Sequence, residues 1–172
     1  MVSTATGCPT ADTSPNRSCI GTRRTVDMSR HVVIGAGPVG RAIVDALTSR
    51  GIEAQVLSRS GTQIPGAQAT EVDALDTDRL ASVIAGADVV YQASSPEYHR
   101  YREDFPPLQQ SIVSAVQKND AVLVAIENLY GYGPVQKPMT EDLSLASTGR
   151  KGKVRADMWK SLQAESDAAD CV

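Results

Sequence analysis

The sequence predicts an α/β domain built on a doubly wound parallel sheet of about five strands. Short runs of β-branched residues alternate with stretches whose apolar residues recur at helical spacing, which is typical of repeated strand–helix–strand units. In addition, a glycine-rich turn stands directly between the first of these strands and the first helix. The length of 172 residues fits one domain with a sizeable hydrophobic core.

Five apolar runs are predicted to be the strands of this sheet. The last of them is almost continuously apolar, as expected of a strand that is buried on both faces. The third is the weakest of the five. The runs lie at 31–34, at about 53–58, just before Asp73, at 88–93 and at 121–126.

Helices are predicted between these runs because apolar residues recur there at helical spacing. In the first helix Ile43, Val44 and Leu47 share one face, and Gly51 is expected to end it. Asp76 is expected to cap the N-terminus of the second helix. The helices are predicted at 41–50, from Asp76 through Leu80 and Ile84, at 108–118 and at about 151–163.

The two ends of the chain are polar and are predicted to be disordered. Residues 1–27 are rich in Ser, Thr, Pro and Gly, and Met28 looks like a natural start, so we interpret them as an upstream extension without function. Residues 164–172 show no strand pattern, which leaves 28–163 as the folded domain. A doubly wound sheet usually carries a sixth strand. Without it the last strand would expose an unpaired edge, which favours a homodimer formed through that edge.

The composition excludes several classes of partner. Lys and Arg number 17 against 20 Asp and Glu, so no basic excess is available to neutralise nucleic-acid phosphates. No stretch approaches the roughly 20 apolar residues that span a bilayer, and residues 1–27 lack the apolar stretch that a signal peptide would contain. The 3 cysteines lack metal-ligand spacing, so we expect no metal site and a reducing, cytoplasmic location. A small molecule is the remaining class of partner.

The glycine-rich turn predicts a dinucleotide site. Gly35 permits the tight turn, Gly37 lets the backbone approach a pyrophosphate, and Gly40 allows the helix to pack closely on the strand. Pro38 and Val39 complete the turn at the helix N-terminus, whose free amides and partial positive charge favour phosphates. The alternative is that these small residues only pack the helix on the sheet.

The end of the second strand predicts which dinucleotide is bound. In NAD-binding proteins an acidic residue about 20 positions after the glycines accepts from the ribose hydroxyls. Here Arg59 stands between Ser58 and Ser60, and a guanidinium can hold a 2′-phosphate with two hydrogen bonds. The cofactor is therefore predicted to be NADP, with NAD possible. The alternative for Arg59 is a solvated surface position. Asp73 is placed to accept from the adenine amine or to serve in helix capping.

Four segments and one loop resemble the short-chain dehydrogenase/reductase superfamily, in particular its extended and atypical members of the NAD-dependent epimerase/dehydratase type. The resemblance implies a Rossmann-type fold that ends after its first portion, without the substrate-binding part of longer members. It also implies that Ala74, Gln92 and Ala93 contact the cofactor. The segments are GAGPVG at 35–40, VDALD at 72–76, YQAS at 91–94 and NLYGYG at 128–133, and the loop is PMTED at 138–142.

The catalytic pattern of that superfamily is not preserved. The family uses a Ser, a Tyr as acid or base, and a Lys beyond the Tyr that stabilises the phenolate. By the family's spacing, Ile126 stands at the Ser position, and Lys151 and Arg155 stand at the Tyr and Lys positions. We therefore predict Tyr130 or alternatively Tyr132 as the acid, Lys151 as the nearby cation and Arg155 as a ligand of the nicotinamide ribose.

Aromatic residues cluster after the fourth and fifth strands, where ligands bind in doubly wound sheets. The loop that contains Tyr98 and His99 mixes aromatic and cationic side chains, which suits a polar or anionic substrate. Asn128 and Tyr132 follow the fifth strand and are predicted to line the same substrate site. The alternative is a surface loop whose tyrosines pack on the sheet edge.

These observations predict an NAD(P)-binding oxidoreductase or epimerase domain. Two alternatives follow from the missing Ser and Tyr. One is a non-catalytic protein that binds NADP(H) and senses its redox state. The other is an inactive fragment that lacks the substrate-binding part.

Overall fold

The computed structural model describes residues 2–5 and 29–169, and a sheet lies at the centre of this part. The strands are adjacent in the order β1-β6-β5-β2-β3-β4. Strands β2 to β6 pair in parallel, which confirms the predicted five-stranded doubly wound sheet. The strands are β1 (Val2–Ala5), β2 (His31–Ile34), β3 (Ala54–Ser58), β4 (Ala67–Glu71), β5 (Val89–Gln92) and β6 (Val122–Ile126).

Helices cover both faces of the sheet. Helix α1 packs Val44 and Leu47 against Val33 and Val56 on one face. The other three helices contribute to the larger core on the opposite face, where Leu80, Ile112 and Leu162 are buried. The helices are α1 (Pro38–Thr48), α2 (Thr77–Val83), α3 (Tyr101–Gln117) and α4 (Arg150–Ala169), with short 3-10 turns at Tyr98–Arg100 and Leu129–Tyr132.

Strand β2 is the switch point of the sheet. It pairs with β3 on one side and with β5 on the other, so β3 and β4 lie on one side of β2 and β5 and β6 lie on the opposite side. In doubly wound sheets a crevice opens at the carboxyl ends of the strands at this point, and ligands bind there. The glycine-rich turn follows β2 directly and therefore lies in this crevice.

The start of the chain differs from the prediction of a disordered segment. Val2–Ala5 form β1, which pairs antiparallel with β6 from Val2 opposite Ile126 to Ala5 opposite Leu123. A free strand edge offers a row of unpaired backbone groups, and β1 satisfies them. The edge on which the predicted homodimer was based is thus occupied by the chain itself. The rest of the predicted disordered segment, residues 1 and 6–28, lies outside the described residues.

Helix α3 begins earlier than the predicted start at Leu108. Pro106 and Pro107 suggested a loop, because proline donates no backbone hydrogen bond and disfavours a helix interior. The helix nevertheless starts at Tyr101, since Tyr101 and Phe105 are buried together with Met158 of α4. This burial of aromatic side chains outweighs the poor local propensity.

Helix α4 also extends beyond its predicted end. It continues to Ala169, so residues 164–169 are helical rather than disordered, whereas 170–172 lie outside the described residues. The helical propensity of residues such as Ala164 outweighs the polarity of this segment.

The described residues contain neither a membrane-spanning helix nor a cluster of metal-binding side chains. Within 2–5 and 29–169, no helix has both the length and the apolar character that crossing a bilayer requires. In the same residues no group of His, Cys, Asp and Glu side chains is arranged to hold a metal ion.

Candidate functional site

The turn after β2 depends on two glycines that have no room for a side chain. Gly35 has a φ of +117°, and its amide donates to the Leu57 carbonyl at 2.8 Å. A Cβ at Gly35 would lie 2.7 Å from the Ser94 amide nitrogen, and one at Gly40 would overlap the Gly35 carbonyl oxygen. These contacts let α1 start close against the ends of β2 and β5.

Gly37 is free of such contacts. It is the N-cap of α1 with an ordinary φ of −77°, and a Cβ there would meet no protein atom within 4 Å. Helix α1 begins with Pro38, and within the described residues no side chain hydrogen-bonds to its N-terminus. The free amides and positive dipole end of α1 therefore remain available to an anion that approaches over Gly37.

A cleft of about 680 Å³ opens beside this turn, at the carboxyl ends of β2, β3, β4 and β5. It brings together segments that are far apart in the sequence. Most of the predicted cofactor-binding residues line it, namely Gly35, Gly37, Pro38, Val39, Ser58, Arg59, Ser60, Asp73, Ala74 and Ala93.

Two predicted cofactor residues are not part of the cleft wall. Gly40 packs under the turn, and Gln92 is buried with 3% exposure. Ser94 lines the cleft instead and had not been singled out from the sequence. Its Oγ is buried and has no hydrogen-bond partner among the described residues. A buried hydroxyl without a partner is costly, so Ser94 fits a site that receives a polar ligand group.

The turn after β3 holds Arg59 at the cleft. The Thr62 amide donates to the Ser58 Oγ at 2.9 Å, and the hydroxyls of Ser60 and Thr62 are 2.8 Å apart. The side chain of Arg59 is exposed and makes no hydrogen bond or salt bridge within the part of the chain that the structure describes. Its guanidinium is thus available to an anionic group in the cleft.

The two aspartates after β4 have different positions. Asp76 caps α2 as predicted, since its Oδ1 accepts from the Arg79 amide at 3.0 Å. Asp73 lines the cleft, where its Oδ1 accepts from the Leu75 amide at 3.0 Å. Asp76 is therefore the residue that caps the helix. The hydrogen bond from the Leu75 amide fixes the orientation of the Asp73 carboxylate in the cleft.

A second polar group forms where β6 and the start of α4 meet the β5–α3 segment. The Lys151 Nζ lies 2.7 Å from the centroid of the Tyr98 ring, a cation–π contact. The Asn128 Nδ2 donates to the Tyr101 hydroxyl at 2.8 Å, and the Tyr98 and Tyr101 ring centroids are 6.2 Å apart. The structure thus brings together the predicted residues Tyr98, Asn128 and Lys151.

The remaining predicted substrate and catalytic residues are more dispersed. Tyr130 is 49% exposed, and its amide donates to the Asn128 Oδ1 at 3.1 Å. His99 is exposed and contacts Glu97 at 3.4 Å. Tyr132 is buried and lines a separate cavity of about 440 Å³ together with Trp159.

Arg155 is directed into the protein interior and does not line the cleft. Its side chain is 2% exposed and forms an ion pair with Glu127, whose side chain is 4% exposed. The Arg155 Cζ lies 4.4 Å from the centroid of the Phe105 ring. This cation is therefore neutralised and stacked inside the protein.

Burial shifts the pKa of two groups around this ion pair. Burial raises the pKa of Glu127 from 4.5 to about 7, although the charge and hydrogen bond of Arg155 act to lower it. Burial likewise raises the pKa of the Tyr101 phenol, and the Arg155 charge and the bond from Asn128 oppose this only in part. The Tyr101 phenol is thus held in its neutral form at ordinary pH.

Comparison with known proteins establishes the family. The family model described as NAD(P)H-binding matches residues 35–147, about two thirds of the chain. The chain belongs to the NAD(P)H-binding family. No curated protein matches the chain.

Solved structures share the fold of this NAD(P)H-binding chain. A UDP-N-acetylglucosamine 4-epimerase from Bacillus cereus is 16% identical with a TM-score of 0.70, over 81% of this chain and 49% of that one. A UDP-glucose 4-epimerase is 18% identical with a TM-score of 0.72, over 81% and 48%. The Bordetella bronchiseptica enzyme WbmG, in complex with NAD and UDP, is 16% identical with a TM-score of 0.63, over 78% and 49%. The chain therefore spans about half the length of these structures, and the likeness confirms the Rossmann-type fold.

The match to the NAD(P)H-binding family includes all the residues that line the cleft except Ile34, and it ends before α4. Lys151 and Arg155 lie beyond it. Tyr101 and Glu127 lie within it. Tyr101 belongs to the aromatic and cationic loop predicted near the substrate, whereas Glu127 was not recognised from the sequence as part of the site. The spacing of four residues between Tyr101 and Phe105 was the available signal for a buried helical face, and the adjacent prolines obscured it.

Gly152 allows the first turn of α4, which carries Lys151, to approach the segment after β6. A Cβ at Gly152 would overlap the Ser147 Oγ and lie 2.5 Å from the Tyr130 carbonyl oxygen. We expect Gly152→Ala to lower the free energy of unfolding by about 1–3 kcal/mol, as overpacking does. Urea denaturation measures this change. The control is Gly149→Ala, because its nearest atom is 3.9 Å away. Equal stability of the two variants would contradict the proposed packing.

Proposed function

We propose that this protein binds NADP(H) in the cleft and transfers a hydride to or from a small carbonyl or hydroxyl compound. The observation that supports the nucleotide best is the open space over Gly37 at the uncapped N-terminus of α1. The preference for NADP rests on Arg59, which lines the same cleft without a hydrogen-bonding partner among the described residues. The nicotinamide ring would supply the hydride chemistry when bound, and we place the reaction in the cytoplasm.

We propose that Tyr98, Asn128 and Lys151 contact the substrate. They surround the end of β6 on the nicotinamide side of the sheet, and Lys151 has no carboxylate partner among the described residues. Tyr130 is the proposed proton donor, since its side chain is half exposed and its backbone lies beside Gly152, next to Lys151. His99 and Tyr132 are weaker candidates, because one faces solvent and the other lines the separate cavity.

An anionic, nucleotide-linked sugar is one substrate class that this arrangement suits. Lys151 supplies a cation and the tyrosines supply rings and hydroxyls for such a molecule. A structural neighbour is described in complex with UDP-glucose and NAD. We extend the proposal to this class on the basis of that likeness together with the charge of Lys151.

Isothermal titration calorimetry of the full chain with NADPH and NADH tests the cofactor proposal. We expect Arg59→Ala to weaken NADPH binding about tenfold and to leave NADH binding within about twofold, because only NADPH carries the 2′-phosphate. Arg79→Ala removes an arginine outside the cleft and is the matched control. Equal losses for both nucleotides would assign Arg59 a general role, and binding of neither would refute the cofactor site.

A non-catalytic NADP(H)-binding protein is the second candidate. It is favoured by the position of Arg155, which is bound to Glu127 inside the protein instead of facing the cofactor cleft. Oxidation of NADPH with a panel of carbonyl compounds separates the two candidates. Turnover that Lys151→Ala abolishes without loss of NADPH affinity supports the enzyme. Tight binding without turnover on any compound supports the second candidate.

A further inference from the structure

A second arginine lines the cleft from the side of α3. The Arg100 guanidinium binds Asp104 with two hydrogen bonds, Nε to Oδ2 at 2.6 Å and an Nη to Oδ1 at 2.8 Å. Both residues line the cleft that also contains Arg59. The Arg100 side chain is 58% exposed, so it can move without disturbing the core.

Arg59 and Arg100 act on the same carboxylate from different segments of the chain. The hydrogen bond from Arg100 holds the pKa of Asp104 below its usual value, and the charges of Arg100, His99 and Arg59 lower it further, while burial opposes them. Asp104 is therefore ionised and lies within the field of both guanidinium groups. Arg59, Arg100 and Asp104 all line the cleft, so one carboxylate and two guanidinium groups share this site.

The other charges of the cleft limit what this position can bind. Asp73 and Glu97 also line the cleft, and Glu97 contacts His99. With Asp104, three carboxylates line the cleft against two arginines, so Arg59 alone offsets only part of this negative charge. Binding of a dianion becomes favourable when Arg100 also turns to it, because two guanidinium forks then replace one.

We propose that Arg100 is the second arginine of the 2′-phosphate site and that Asp104 competes with the phosphate for it. This inference rests on the proposed preference for NADP. The exchange needs only a rotation of the Arg100 side chain, from the carboxylate of Asp104 to the phosphate. Asp104 thus sets the selectivity between NADPH and NADH by the strength of an internal ion pair.

Two small nucleotides isolate this site from the rest of the cofactor. Adenosine 2′,5′-bisphosphate carries the 2′-phosphate, and adenosine 5′-monophosphate lacks it. Their dissociation constants are measured on the full chain by calorimetry at low ionic strength, where exposed charges act most strongly. The ratio of the two constants reports the contribution of the 2′-phosphate alone.

We expect Arg100→Ala to weaken binding of the bisphosphate about tenfold and that of the monophosphate by less than about twofold. Arg100→Lys should recover part of the loss, since it keeps the charge but not the fork. Asp104→Asn should tighten bisphosphate binding about threefold, because it removes both the competitor and a repulsive charge. Arg102→Ala is the matched control, as Arg102 is exposed two residues along and does not line the cleft.

The outcomes separate this inference from the proposed function. If Arg59→Ala lowers the ratio while Arg100→Ala and Asp104→Asn leave it unchanged, the role of Arg100 is refuted and the NADP site stands. If the unaltered chain binds the two nucleotides equally, the preference for NADP and the role of Arg100 both fail. Unchanged monophosphate binding in each variant shows that the cleft is still folded.

Discussion

Gly37→Ala is expected to weaken the binding of both NADPH and NADH by at least about tenfold without a loss of stability. The φ of −77° at Gly37 suits alanine, and its Cβ would meet no protein atom within 4 Å. In the bound state the same Cβ would occupy the space through which the pyrophosphate approaches the amides of α1. The substitution therefore lowers the affinity for the nucleotide without lowering the stability of the fold.

Calorimetry measures the two affinities, and thermal unfolding measures the stability of the variant. Gly149→Ala adds the same methyl group at an exposed position outside the cleft and is the matched control. Full affinity in Gly37→Ala would show that the pyrophosphate does not pass over this residue. The neighbouring Gly35 and Gly40 cannot serve in this experiment, because their Cβ atoms would collide with backbone atoms and disturb the turn.

Arg155→Met is expected to lower the free energy of unfolding by about 3–5 kcal/mol at pH 8, since it leaves Glu127 buried without its partner. The loss should shrink towards pH 5. The folded-state pKa of Glu127 is already raised to about 7, and removal of the Arg155 charge raises it further, so the carboxyl takes up a proton as the pH falls.

The free energy of unfolding of the unaltered chain should also fall as the pH rises, by a smaller amount. Because the pKa of Glu127 is higher in the folded state than its ordinary 4.5, the folded state binds more protons between these values. The stability from this group is fully present below about pH 4.5 and is lost as the pH rises through about 7. Urea denaturation at several pH values measures this slope.

The double variant Arg155→Met, Glu127→Leu is the control for the ion pair. It removes both buried charges, so it should recover much of the stability at pH 8 and lose the pH dependence that Glu127 causes. Equal stability of Arg155→Met at pH 5 and pH 8 would contradict the role assigned to Glu127. Unchanged nucleotide affinity in the double variant would agree with a position of Arg155 outside the cofactor cleft.

The nucleotide cleft was largely predictable because its parts are short and local. The glycine turn after β2, the Ser58–Ser60 turn after β3 and Asp73 after β4 each follow directly from a strand that its apolar residues reveal. Parallel strands bring their carboxyl ends to one edge of a sheet, so these local signals meet in space. Ser94 follows the same rule. It ends the YQAS segment at 91–94, although only Gln92 and Ala93 of that segment were predicted to contact the cofactor.

The surroundings of α4 could not be predicted in the same way. The resemblance predicts that Arg155 contacts the cofactor, but its environment depends on Glu127, Phe105 and Tyr101 from other segments. No spacing within a single segment indicates that contact. The early start of α3 has the same origin, because tertiary burial of aromatic rings decided against the local preference of two prolines.

The pairing of β1 with β6 has a consequence for the order in which the chain folds. Almost three quarters of the sequence separates Val2 from its partner Ile126, so this pairing is the least local contact of the sheet. Forming it closes a long loop, which costs conformational entropy. Contacts of this kind form late, after the β2–β5 units have assembled from their own neighbours. The segment Val2–Ala5 would therefore be among the last parts of the sheet to take its place.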